Sequence, residues 1–216
     1  SYVNRELYRS HRGRSYRVFP VVRKHMGDKL KKRDVVHFLG VFPNLTVMTV
    51  KRRSEVAIPF VHLADVHLGR LQVSGLSGEQ VAQRRLDALL SLRRSLEYVQ
   101  EAQIPLLFIA GDLFEHEIVS KAIVTEVRDC LARLVQTRVF VAAGNHDYAA
   151  SDSFYRTLTW PDNVHLFLDD WESVVIEDLH LTVHGRGWRE PECSRPLLRE
   201  YTLGENVEGL HVVLLH

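Results

Sequence analysis

Ala57-Ile-Pro-Phe-Val-His-Leu-Ala64, running directly into Asp65-Val-His67, is the stretch that decides the fold. It is short, apolar and closed by polar residues, as a buried strand delivering functional groups at its carboxyl end would be. Pro59 sits near its start, where a strand tolerates proline. Onward from it, beyond a Gly/Ser-rich loop, residues 81–102 carry Leu86, Leu89, Leu90, Leu96 and Val99 on one side, with Arg84, Arg85, Arg94 and Glu101 elsewhere. That spacing predicts a helix. Pro105-Leu-Leu-Phe-Ile-Ala110 reads as a second buried strand, Ile123, Val127, Cys130, Leu131 and Leu134 mark a second amphipathic helix, and Arg138-Val-Phe-Val-Ala-Ala143 is a third strand.

Strand-helix-strand-helix-strand with connections of these lengths calls for parallel pairing and right-handed crossovers, an α/β fold. Ligands of such sheets gather beyond the carboxyl ends of the strands. The polar residues stand there: Asp65 and His67 after the first strand, Gly111-Asp112 after the second, Gly144-Asn-His-Asp147 after the third. The runs Asn163-Val-His-Leu-Phe167, Ser173-Val-Val-Ile-Glu177, His180-Leu-Thr-Val-His184 and His211-Val-Val-Leu-Leu-His216 are expected as strands of a second sheet or its edge.

At 216 residues, 45% hydrophobic and 25% charged, the chain has the make-up of one principal globular domain. Cys130 and Cys193 are too few and too far apart for a disulfide framework or a zinc finger, which points to a reducing, cytoplasmic setting. The apolar stretch over 35–50 is interrupted by Gly40, Pro43 and Asn44, so no membrane helix is expected there. Charge is distributed unevenly. Residues 1–53 hold 14 Lys/Arg against 3 Asp/Glu, whereas residues 54–216 hold 14 against 24. The expectation is a basic N-terminal extension over 1–53, with residues 1–47 outside the core fold, followed by a domain over 54–216. A basic arm that releases counterions from nucleic acid is the competing reading of the same residues.

Hydrolysing a phosphodiester near neutral pH requires a hydroxide nucleophile and neutralisation of phosphoryl charge, and two metal ions about 3.5–4 Å apart supply both. Carboxylate, imidazole and amide oxygen are the donors a cation such as manganese takes. Asp65 and His67 can turn toward one ion, Asp112 on the adjacent strand is the natural bridge, and the Asn145 amide reaches the second. His146 is better used as the imidazole that stabilises phosphoryl oxygens and protonates the leaving group, with Asp147 orienting it from behind. Asp-x-His, Gly-Asp and Asn-His-Asp are each weak alone; their placement in order after three apolar strands is not.

This order and wording resemble the calcineurin-like metallophosphoesterase family, whose pattern is Asp-x-His, Gly-Asp, Gly-Asn-His-Asp/Glu, a lone His, then Gly-His-x-His. Within it, His62-Leu-Ala-Asp-Val-His-Leu-Gly69 and Gly111-Asp-Leu-Phe-Glu115 look most like the SbcD and YhaO type of DNA-repair exonuclease subunit, over residues 58–216. The resemblance implies an αββα sandwich and two divalent ions, Mn2+ foremost. Asp65, His67 and Asp112 would hold the first ion, and Asp112, Asn145 and a later histidine the second. His216 fits the family's Leu-Leu-His strand end better than His184, which is expected to be structural or to line the cleft. Glu115 and His116 lie near where the family places residues touching substrate. His62, within its strand, reads as a core or supporting residue. The Gly-His-x-His motif does not occur before His216, so the domain is expected to be C-terminally incomplete.

Three functions are in contention. The resemblance implies a manganese-dependent DNA exonuclease or endonuclease in double-strand break repair, with DNA and an SMC-like ATPase of the SbcC type as partners and a homodimer within its range. A stand-alone phosphodiesterase or phosphatase on a small nucleotide or phosphoprotein would use the same ligands. A non-catalytic scaffold is the third; the missing motif favours it, and the intact Asp65, His67, Asp112, Asn145 and His146 weigh against it.

Overall fold

In the computed structural model, residues 57–69, 77–193, 197–201 and 209–216 are described in full, together with the backbone of four strands upstream. Those four are β1 (Arg9–His11), β2 (Arg14–Tyr16), β3 (Val35–Phe42) and β4 (Leu45–Lys51). Then follow β5 (Ile58–Leu63), α1 (Gly78–Glu101), β6 (Leu106–Ala110), α2 (Lys121–Ala132) and β7 (Arg138–Ala142). The remainder is α3 (Phe154–Thr157), β8 (Val164–Phe167), β9 (Glu172–Ile176), β10 (Leu181–Gly185) and β11 (Leu210–Leu214).

Six strands form the larger sheet in the order β3-β4-β5-β6-β7-β8, and β5 to β8 run parallel. β4 pairs antiparallel with β5, so strands drawn from the basic extension flank the parallel core. β1 and β2 form a separate antiparallel pair. Why β6 is apolar throughout follows from the two layers it separates. Leu107 and Ile109 face Leu92, Leu96 and Val99 of α1 and Val124, Val127 and Leu131 of α2. Leu106, Phe108 and Ala110 face the opposite way, onto Ile176, Leu181, Val183 and Leu214 of the smaller sheet. Period-two alternation with both faces covered leaves no polar position inside the strand.

The smaller sheet has the order β11-β10-β9, with β10 and β11 parallel and β9 antiparallel to β10. The stack is thus helix layer, sheet, sheet, the α/β arrangement of a metallophosphoesterase; among the described residues no α-helix lies over the outer face of the smaller sheet. Val164–Phe167, expected with the late strands, instead extends the larger sheet as β8, pairing Val139 with Val164 through Ala142 with Phe167. Asn163 pins it there, its amide donating to the carbonyls of Leu131, Leu134 and Thr137. α1 begins a turn earlier than its apolar spacing predicts because Ser77 and Gln80 close a capping box. No helix among the described residues is long and apolar enough to cross a membrane.

Candidate metal centre

Three loops leave the parallel strands side by side, and backbone bonds lock them in register. Asp65 N–H donates to the Gly111 carbonyl (3.2 Å), His67 N–H to Asp112 (2.8 Å) and Leu68 N–H to Leu113 (3.0 Å). Asp65, His67 and Asp112 all have positive φ, at 54°, 51° and 53°. Left-handed backbone is disfavoured for residues with a Cβ, and such strain collects where side-chain direction matters more than comfort. The third loop must come close: a Cβ on Gly144 would meet the backbone nitrogen of Asp112 at 2.5 Å and collide with its carboxylate.

Asp112 is buried at the centre of what these loops present. Its Oδ1 accepts the His146 backbone N–H at 2.9 Å, and its Oδ2 lies 3.7 Å from His67 Nε2 and 3.3 Å from His216 Nε2. Both imidazoles are anchored from behind. His67 Nδ1 bonds Glu115 Oε1 and His216 Nδ1 bonds the Ala110 carbonyl, each at 2.9 Å. A carboxylate and a carbonyl only accept, so Nδ1 carries the hydrogen in each ring, and a neutral ring then aims an Nε2 lone pair at Asp112. Asp65 Oδ1 lies 3.8 Å from His67 Nε2, and the Asn145 amide oxygen 3.1 Å from His216 Nε2. Lone pairs converging on a buried carboxylate repel one another unless a cation stands among them.

The spacing fits one. Bonds of about 2.1 Å place neighbouring ligand atoms roughly 3.0–3.5 Å apart, close to the separations on both sides of Asp112. Asp65, Asp112 and His216 bring ligand atoms within 4.8 Å of one another, and so do His67, Asp112 and His146. His146 is therefore nearer to the cage than its direction along the chain suggests, its ring 4.9 Å from that of His67 and edge-on to it.

A model of the calcineurin-like phosphoesterase family matches residues 58–215, a span holding every one of these residues but His216. The chain belongs to that family. Members of that family are metal-dependent phosphoester hydrolases. No curated protein matches the chain significantly. Among solved structures it is similar to the Pseudomonas putida nuclease MPE, at 18% identity, covering 70% of this chain and 66% of that one, with a TM-score of 0.30.

Asp147, expected to orient His146 from behind, has its bonds elsewhere. Its buried carboxylate accepts backbone N–H groups from Asp112 (3.1 Å), Leu113 (2.7 Å), Phe114 (3.3 Å) and Gly144 (2.6 Å), and the Tyr155 hydroxyl at 2.6 Å. It cements the second loop to the third. Burial pushes its pKa up, against the pull of those bonds, and burial with the Asp147 charge beside it pushes the Tyr155 phenol well up. The group that does hold His146 is Glu115, whose Oε2 bonds His146 Nδ1 at 2.9 Å. His116 stands at the rim, its ring 4.9 Å from that of Tyr148 and its Nε2 3.6 Å from Asp152.

His184 lies elsewhere. On β10 it points away from the inter-sheet core, bonding Ser173 Oγ at 2.7 Å and His211 Nδ1 at 2.8 Å. Burial lowers its pKa, and the neighbouring His211 lowers it further. His62 is likewise lowered by burial, with Asp65 pulling the other way. Tyr155 and Trp188 were not singled out by sequence; the Tyr155 partner lies eight residues away across a loop, and those of Trp188 are distant in the chain.

Proposed function

We propose that this phosphoesterase cleaves phosphodiester bonds in DNA with two divalent ions, Mn2+ in the first instance, as the nuclease subunit of a double-strand break repair complex with an SMC-like ATPase. The observation that carries the chemistry is Asp112, whose Oδ2 faces Nε2 of both His67 and His216, each imidazole anchored through Nδ1. When bound, the ions supply the Lewis acidity that neutralises phosphoryl charge and activates water. The protein's own residues do the rest. Glu115 keeps the proton of His146 on Nδ1, so that Nε2 of the protonated ring can hand a proton to the leaving oxygen. Glu115 also fixes the ring of His67, coupling the imidazole that handles protons to one that binds metal. The choice of DNA rests on the wording of Gly111-Asp-Leu-Phe-Glu115 and of the segment around Asp65 and His67.

An acidic body favours a second reading. Residues 54–216 carry 24 Asp/Glu against 14 Lys/Arg, which suits a small nucleotide or phosphoprotein better than a polyanion. Rates with Mn2+ on duplex DNA, on a simple phosphodiester and on a phosphoprotein separate the two, measured with and without the ATPase partner. The proposal expects the ATPase-stimulated duplex rate to dominate, and His146→Ala to abolish cleavage with Mn2+ binding nearly intact. A preference for small phosphodiesters would move the assignment to the second reading.

A further inference from the structure

We infer that Trp188 is a positioning residue for the edge of the cage formed by Asn145 and His216, an inference that rests on the metal reading above. Three bonds converge on it. Its N–H donates to the Ala143 carbonyl (3.1 Å), its carbonyl accepts the Ala149 N–H (2.7 Å), and its indole Nε1–H donates to the His216 carbonyl (3.2 Å). Ala143 and Ala149 bracket the loop that carries Asn145, His146 and Asp147. One residue thus clamps both ends of that loop and ties it to the end of β11.

The strap carrying Trp188 is itself held. Gly187 N–H donates to the Asp169 carbonyl at 3.1 Å, and Arg189 reaches the carboxylates of Asp169 (3.0 Å) and Asp170 (3.1 Å). Arg156 joins the same network, bonding Asp169 at 2.6 Å and the Ala149 carbonyl at 2.9 Å. The strap also runs too close for any side chain at Gly187, where a Cβ would meet Leu168 Cα at 2.7 Å and overlap the Phe167 carbonyl. His216 is consequently fixed at two points, its ring by Ala110 and its backbone by Trp188. That fixes where Nε2 stands relative to Asn145.

Trp188→Phe keeps a ring but removes the indole N–H; Trp188→Ala removes both. Mn2+ titration followed by electron paramagnetic resonance should show one ion weakened about three- to tenfold in Trp188→Phe, the worth of one lost hydrogen bond, and the other within about twofold of wild type. Amide exchange in the metal-free protein should rise over 210–216 in both variants, and stay close to wild type over 143–149 in Trp188→Phe, where the backbone bonds of residue 188 remain. Titrations that superimpose on wild type, or two ions weakening together in step with the melting temperature, would overturn the role. A wild type that takes up no Mn2+ would contradict the metal reading itself. In that event the exchange measurement decides the positioning alone, and unchanged exchange over 210–216 defeats it.

Discussion

Glu115 Oε2 accepts the Nδ1–H of His146 at 2.9 Å, while its other oxygen holds His67 at the same distance. One carboxylate therefore sets the tautomer of two rings with different duties. Removing a supporting partner of this kind typically costs about 10–100-fold in activity or metal affinity. Glu115→Ala should lose both at once, and Glu115→Gln, which keeps one acceptor oxygen, should lose less of each. Steady-state rates and Mn2+ titration on the same preparations check this; a loss of activity with metal affinity untouched would show that the bond to His67 has no consequence.

Gly144→Ala should disable the centre without touching a ligand. The new Cβ must displace Asp112, the residue both ligand groups share. Overpacking of this kind costs about 1–3 kcal/mol of stability. Denaturant melts should show that loss, and Mn2+ binding should fall in parallel.

Tyr155→Phe removes one donor from the buried Asp147 carboxylate and leaves its four backbone donors in place. A hydrogen bond to a charged group is worth roughly 1.5–3 kcal/mol. Equilibrium unfolding should report a destabilisation in that range.

Acidification should weaken the fold through His62 and His184. Burial lowers both below the ordinary imidazole value of about 6.5, so the folded state favours their neutral forms. Their contribution is complete above that value and is lost as pH falls from it through the folded values, because the unfolded chain takes up protons first. The melting temperature should be lower at pH 5.5 than at pH 7.5, and His184→Asn should shrink the difference.

The parallel core was legible because β5, β6 and β7 are mostly apolar and lead within two or three residues to Asp65, Asp112 and Asn145, a pattern that burial on both faces of the sheet favours. β8 was not. Its crossover from β7 contains only the four-residue α3, too short to leave a helical period, so nothing in the sequence marks it as a return to the same sheet. His184 and His216 each close an apolar run, and in sequence only the resemblance to the family's Leu-Leu-His strand end favours His216. Strand parity separates them: His184 alternates with the buried Val183 and so points to the outer face, whereas His216 lies past the end of β11, beside Ala110. Adjacency to His146 suggests a shared task for Asp147, whose carboxylate is engaged across the loops instead. Four of its five donors come from residues 112–114 and from Tyr155, and no local pattern announces them.

Asp112 bears most directly on the central claim, since its carboxylate stands in both groups of ligand atoms. The decisive measurement is Mn2+ stoichiometry by calorimetric titration of wild type and Asp112→Asn under identical conditions. The expected result is two ions bound by wild type and a collapse of both in the variant. Wild-type stoichiometry and affinity in Asp112→Asn would contradict the account.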